Sequence, residues 1–295
     1  MKLSIVDGIN VMREGTFEVL GKCLDNPPSQ FLTYIEDKKY IDIVNRNKQI
    51  TCVICKKEFV NRIIRNDIGI AISGYPKYDF FLLHNQLVKK KSIKKKTVGK
   101  NCLISSRAVL VAEEIIIGNN VIIEDNVIIK GNTIIEDNVI IRAGAIIGSS
   151  SFENCKMPQG GWLNVIEEGI IHICKNTEIG EMTVIDNAIF SWDKTVIGQD
   201  SFVAANVTIG HGCKIGNNVS IKAGAIVCGF VIVNDNVIIS PGSVILNRIT
   251  LGEKSIISLG AIVTKSTKNE EQVSGNFAIR HDYFLKHLKE ISADI

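Results

Sequence analysis

Ile197-Gly198-Gln199-Asp200-Ser201-Phe202-Val203-Ala204-Ala205-Asn206-Val207-Thr208-Ile209-Gly210-His211-Gly212-Cys213-Lys214-Ile215 returns an aliphatic residue every six positions, and the beat continues through Ile221, Val227, Val233, Ile239, Ile245, Leu251, Ile257 and Val263. An amphipathic helix needs a spacing near 3.6 and a strand one of 2, so a sustained period of six fits neither. It fits a solenoid whose short strands stack in parallel on those of neighbouring coils and bury one continuous aliphatic column. Upstream, the same beat is read at Val111, Ile117, Ile123, Ile129, Ile135, Ile141 and Ile147, and again at Ile173, Ile179 and Ile185. A second aliphatic or small residue stands four positions on, at Val121, Val127, Thr133, Val139 and Ala145, so each hexad offers two inward positions and one turn. The beat fails at Ser191 and across residues 149–170, where Ser149-Ser150-Ser151-Phe152 and Met157-Pro158-Gln159-Gly160-Gly161-Trp162 leave the register. A solenoid serving only as a spacer has no need of such a loop.

The flanks follow other rules. In residues 1–97, helix-like Glu36 to Asn47 and Pro76 to Val88 alternate with strand-like Ile50 to Ile54 and Ile68 to Ser73, which predicts a small α/β domain. Lys89-Lys90-Lys91-Ser92-Ile93-Lys94-Lys95-Lys96 marks the boundary, as a solvated linker or as a strip that docks phosphates or an acidic carrier protein. The solenoid is placed at 98–265. In the tail, 266–295, Phe284, Leu285, Leu288 and Ile291 recur at helical spacing, which predicts an amphipathic C-terminal helix. The expected fold is mainly β: a parallel β-helix between a small α/β domain and a helix.

Composition narrows the function. The 34 basic and 31 acidic residues leave a net charge of +3, too small for a general field toward nucleic acid or anionic lipid. No apolar run approaches the ~18 residues of a spanning helix, so a cytoplasmic chain without stable membrane insertion is expected. The eight cysteines are scattered and form neither a disulfide framework nor paired metal knuckles. Cys52-Val53-Ile54-Cys55 alone has the CxxC form, and its apolar surroundings favour two small buried residues. No metal and no tightly bound cofactor are expected.

The hexad pattern resembles the hexapeptide-repeat acyltransferases, in which three hexads make one triangular coil of a left-handed parallel β-helix. Within them the chain is similar to the UDP-3-O-acylglucosamine N-acyltransferase family of lipid A synthesis. Leu32-Thr33-Tyr34-Ile35-Glu36-Asp37-Lys38-Lys39-Tyr40 matches that family's uracil-binding segment, which assigns Tyr34 and Tyr40 to the base and puts Asp37 where the family has Asn. Ile147 to Phe152, Gly160-Gly161-Trp162 and Glu178-Ile179-Gly180 match its loop out of the helix, which makes Phe152 a substrate contact. Ile209-Gly210-His211-Gly212 matches the stretch that carries the catalytic histidine. Gly229 follows eighteen residues later, one coil on, where the family has its oxyanion-binding glycine.

The resemblance thus implies an amine attacking a thioester carbonyl, with His211 as general base and the Gly229 N–H on the oxyanion. Gly224 and Gly242 occupy small-residue turns that admit a pantetheine arm between subunits, and His281, in a tail that matches the family's, is assigned to the nucleotide or the donor. His172 beside the inward column reads as structural, and His84 and His287 read as helix surface residues. Departures bear on the substrate. Asp186-Asn187-Ala188-Ile189 lacks the family's arginine, Ala204-Ala205 replaces an Asp-Asn pair, Arg248 replaces a second histidine, and Gly275-Asn276-Phe277-Ala278 replaces Gly-x-Pro-Ala. The expected function is N-acylation of a UDP- or dTDP-linked amino sugar for surface polysaccharide by a homotrimer, with acyl-CoA favoured as donor. The lipid A enzyme using acyl carrier protein is the close alternative. A non-catalytic trimeric scaffold is the alternative from another class, and a γ-class carbonic anhydrase is excluded because the solenoid holds only His172 and His211 where such a zinc site needs three histidines.

Overall fold

The computed structural model describes residues 1–6, 8–88, 95–111, 114–151, 153–275, 278 and 280–293. Strands of two to four residues stack into three parallel sheets of nine, eight and eight strands, one strand of each sheet per coil. The result is a left-handed parallel β-helix. In one sheet the column Ile123, Ile141, Ile179, Val203, Ile221, Ile239 and Ile257 runs in register from coil to coil. Nearly all of the inward residues are below 4 % exposed, including the companions Val121, Val127, Thr133, Val139 and Ala145. Each coil hands its N–H groups to the next, as in Gly210 N–H to Val227 O at 2.7 Å, so the backbone is satisfied along the helix axis.

The corners explain the polar letters of the repeat. One corner column holds Asn101, Asn120, Asn138, Asn176, Asn218 and Asn236 at positive φ, the left-handed region that Asn tolerates better than most residues. Their amides bond in ladders, as in Asn120 to Asn138 at 3.1 Å and Asn138 to Asn176 at 3.0 Å. The hexad beat misplaces one residue. Val111 is 63 % exposed, and Leu110 takes the inward place opposite Ile129, because the step from Leu110 to Ile117 is seven positions and not six.

The ladder starts at Lys95–Val98 and ends at Gln272–Val273. Lys89 to Lys94 lie outside the described residues. The N-terminal part is a five-stranded sheet in which Asn10–Arg13 runs antiparallel to Gly69–Ile72, while Ile50–Cys55, Phe31–Ile35 and Val19–Leu20 continue in parallel. Helix Pro76–Val88 packs on this sheet, and Cys52 and Cys55 are buried within it as free thiols, both pushed up to about 11 chiefly by burial.

The 149–170 excursion folds as a hairpin, Asn154–Lys156 against Trp162–Asn164, and clamps this domain to the solenoid. Asn85 donates to Asn164 O at 2.8 Å and accepts from Ile166 N at 3.0 Å. His84, expected on the helix surface, is 3 % exposed, with Nε2 2.7 Å from Ile166 O. The break at Ser191 is a second excursion, in which Phe190 stacks on Trp192 and the Trp192 indole donates to Leu20 O at 2.8 Å. Helix His281–Ala293 closes the chain, with Tyr283 and Leu285 exposed, and the side chains of Phe284, His287, Leu288 and Ile291 lie outside the described set. Among the described residues no helix is long and apolar enough to cross a membrane.

Candidate active site

His211 stands at the corner after strand Thr208–Ile209, and Gly229 stands one coil on, after strand Ile226–Val227. The imidazole lies directly on the Gly229 backbone: a Cβ built on Gly229 would be 2.6 Å from Cε1 and 2.9 Å from both ring nitrogens. Only glycine leaves room for the ring there. The next residue, Phe230, donates its N–H to His211 O at 2.8 Å and sets its ring edge-on to the imidazole at 4.7 Å. The other neighbour of Gly229, Cys228, donates to Ile245 O at 3.0 Å, so the residues on both sides of Gly229 are tied into the ladder.

Further contacts fix this corner. Gly212 has φ +68°, and a Cβ there would strike the Phe230 ring at 2.8 Å. Its N–H donates to Thr195 Oγ1 at 2.9 Å, and that hydroxyl donates to Asp186 O at 2.9 Å. Arg248, one coil beyond Gly229, lays its guanidinium over Phe230 at 4.1 Å and pairs with the buried Asp25 at 3.1 Å. Lys22 Nζ sits 5.2 Å from the Phe230 ring centroid and 2.6 Å from Glu153 of the hairpin, whose other oxygen takes Lys77 at 2.9 Å.

The electrostatics follow from burial. His211 is held down to about 4, first by loss of water and then by the cations of Lys22 and Arg248, so its ring is neutral at pH 7. Burial likewise lowers Lys22, against the pull of Glu153. Burial works against the Glu153 carboxylate too, but the charge and bond of Lys22, with those of Lys77, hold it down to about 2. At Asp25 burial outweighs the Arg248 partner and raises the carboxyl. Farther along the same corner, burial and then Glu167 push Asp186 up to about 7.

Lys22, Cys23, Leu24, Tyr34, Tyr40 and Arg248 line one cleft of about 120 Å³. Tyr34 and Tyr40 therefore do share a wall. Tyr34 belongs to strand Phe31–Ile35 and packs on Phe80 at 5.0 Å, and Tyr40 ends the short 3-10 turn Lys38–Tyr40. Asp37 caps that turn by accepting from Lys39 N at 3.0 Å and is held below its usual range mainly by this bond. Gly224 and Gly242 line a different corner of the same chain, both at positive φ. His281 opens the C-terminal helix and is exposed. Phe152 lies outside the described residues. Lys22, Asp25, Glu153 and Phe230 are members of the cluster that the repeat did not announce.

The profile described as "Bacterial transferase hexapeptide (six repeats)" matches residues 114–149 and 194–229. The UDP-3-O-acylglucosamine N-acyltransferase of Dechloromonas aromatica (strain RCB) is 40% identical over 80 residues, which is 27% of this chain and 22% of that protein. The protein of the same name from Campylobacter lari is 31% identical over 88 residues, 30% of this chain and 27% of its own length. The chain therefore spans about a quarter of the curated relatives it matches. Among solved structures, an Arabidopsis UDP-N-acetylglucosamine acyltransferase superposes with a TM-score of 0.54 at 25% identity, covering 60% of each chain. The UDP-N-acetylglucosamine acyltransferase from Campylobacter jejuni shares the fold, with a TM-score of 0.54 at 24% identity over 62% of this chain and 69% of that one.

Proposed function

We propose that the chain is an N-acyltransferase that moves an acyl group from a thioester to the amino group of a nucleotide-linked sugar. The observation that carries this reading is the neutral His211 ring lying on the Gly229 backbone, one coil apart. As the amine adds to the thioester carbonyl, its nitrogen becomes strongly acidic and the carbonyl oxygen becomes an anion. A neutral imidazole accepts that proton, the Gly229 N–H donates to the oxyanion, and collapse of the tetrahedral centre expels the thiolate. A histidine buried as an imidazolium could accept nothing. No covalent acyl-enzyme is needed.

The relatives' names supply the substrate class, and the cleft beside the histidine suits it. Two tyrosine rings offer faces for a base, while Lys22 and Arg248 offer cations for a diphosphate. Asn187, Ala204-Ala205 and Arg248 depart from the lipid A pattern, so the favoured acceptor is a UDP- or dTDP-linked amino sugar of surface polysaccharide, with acyl-CoA as donor. The second reading, UDP-3-O-acylglucosamine acylated from acyl carrier protein, rests on what the curated relatives are called. The enzyme would act in the cytoplasm as a homotrimer. Gly224 and Gly242, on a different edge of the helix, would meet His211 from a neighbouring copy.

The test is mass-spectrometric turnover of UDP- and dTDP-amino sugars, each offered short 3-hydroxyacyl-CoA or long 3-hydroxyacyl carrier protein. Wild type should give a CoA-dependent N-acyl product, and His211→Ala should lower kcat by about 10²- to 10⁴-fold while remaining folded. Product only from 3-O-acylated glucosamine and carrier protein would establish the second reading. Full activity in the variant would remove His211 as the base, and a wild type silent on every pair would leave the scaffold.

A further inference from the structure

On one corner of the solenoid, the register position after the inward residue is occupied in successive coils by Gly99, Gly118, Glu136, Cys174, Gly198, Gly216, Asn234 and Gly252. Glycine recurs there because the next coil presses on it. A Cβ on Gly198 would lie 2.2 Å from Gly216 O, and one on Gly99 would lie 2.3 Å from Gly118 O. Three coils break this rule: one carries Asn234, and the two that are adjacent carry a carboxylate and a thiol. The adjacent two are also the coils separated by the 149–170 excursion, so the chain between Glu136 and Cys174 is 38 residues long where plain coils spend 18.

The outward position two residues earlier holds Ile116, Ile134, Val196, Lys214, Ile232 and Thr250 in other coils, and His172 in this one. His172 and Cys174 therefore leave the same face of strand Ile170–Ile173 and its following residue, with Glu136 opposite Cys174 across the ladder. His172 Nε2 is 2.7 Å from Glu136 Oε1, and the nitrogen, the thiol sulfur and a carboxylate oxygen all lie within 4.8 Å of one another. Glu136 Oε2 accepts from Lys175 N at 3.0 Å, which steadies the carboxylate and leaves Oε1 toward the cluster.

We propose that Glu136, His172 and Cys174 form a site for a divalent transition metal of the zinc class, fastening the coil before the excursion to the coil after it. Imidazole, thiolate and carboxylate are the ligand set that such a cation accepts, and one carboxylate with one thiolate neutralises its charge. Bonds of about 2.0 to 2.3 Å place tetrahedral ligands roughly 3.3 to 3.8 Å apart, so the His172–Glu136 hydrogen bond opens by about half an ångström and the sulfur, within 4.8 Å of its partners, moves inward by up to about 1 Å. All three residues are partly exposed, which leaves the fourth position to water. This site departs from the expectation, drawn from the scattered cysteines, that the chain holds no metal: His172 and Cys174 stand two residues apart, and the stacking of coils brings Glu136 to them.

The test is titration of the full-length, reduced, metal-free protein with Co²⁺, followed by displacement with Zn²⁺. The site requires saturation at one Co²⁺ per chain with a thiolate-to-cobalt charge-transfer band. That band must vanish in Cys174→Ser, weaken in affinity at least about tenfold in His172→Gln, and persist in Cys102→Ser and Cys228→Ser. Zn²⁺ must also raise the Tm of wild type but not that of Cys174→Ser. A band that survives Cys174→Ser, a band lost in Cys228→Ser, or wild type without a saturable band would each overturn the site.

Discussion

At the scale of single residues, the site depends on one missing side chain. Gly229 has no positive φ, so alanine fits its backbone, but the added methyl would occupy the space of the His211 ring. Gly229→Ala should therefore keep the protein folded while lowering kcat by about 10²-fold or more, measured beside a thermal melt that moves by only a few degrees. The same burial links His211 to stability. Its folded pKa of about 4 lies below the ordinary 6.5, so between those values the unfolded chain binds a proton that the folded chain refuses. The neutral ring's contribution is complete above pH 6.5 and is lost as pH falls toward 4, on the order of 3 kcal/mol across that window. Denaturant melts at pH 7 and pH 5 should show this loss in wild type and a smaller one in His211→Gln; equal losses would mean that the ring is not buried as a neutral group.

At the scale of elements, the excursions attach the small domain to the solenoid, and Asn85 bonds both to Asn164 O and to Ile166 N–H of the hairpin segment. Asn85→Leu leaves Asn164 O and Ile166 N–H without their partner, at a cost of about 1 to 3 kcal/mol. Because the same hairpin carries Glu153 to Lys22, the variant should also raise KM for the nucleotide sugar more than it lowers kcat, which steady-state kinetics would resolve. These long connections mark the limit of what the sequence makes legible. The solenoid is readable because each inward isoleucine repeats the evidence of the last, and it fails only where a coil changes length, as at Val111. The His211–Gly229 pair is readable because one coil is three hexads. Lys22, Asp25 and Glu153 are not, because their partners stand 131 and 223 residues away and no periodicity spans that distance. His84 departs from its expected place on the helix surface for the same reason: a polar residue on an apolar helix gives no sign that a backbone carbonyl 82 residues on will meet it.

At the scale of the whole molecule, the β-helix leaves an apolar surface that a lone chain does not cover. Ile226 and Ile262 face outward from one sheet at 42% and 62% exposure, and Ile238 and Ile256 do so from the adjoining sheet at 39% and 36%. Between these sheets runs the corner of Gly224, Gly242 and Gly260, with Leu259 beside it at 62%. A contiguous aliphatic stripe of this kind is costly in water and suits burial between copies. The corner is also the edge that the proposed trimer would bring toward a neighbour's His211. Charge on the stripe should separate assembly from folding, since these side chains point away from the core column. The double variant Ile226→Glu, Ile262→Glu is expected to keep the wild-type circular dichroism spectrum, to sediment as a single chain, and to lose turnover by at least about 10²-fold although His211 and Gly229 are untouched. Retention of the trimer by that variant would place the interface on another face, and a fully active single chain would show that one copy holds the complete site.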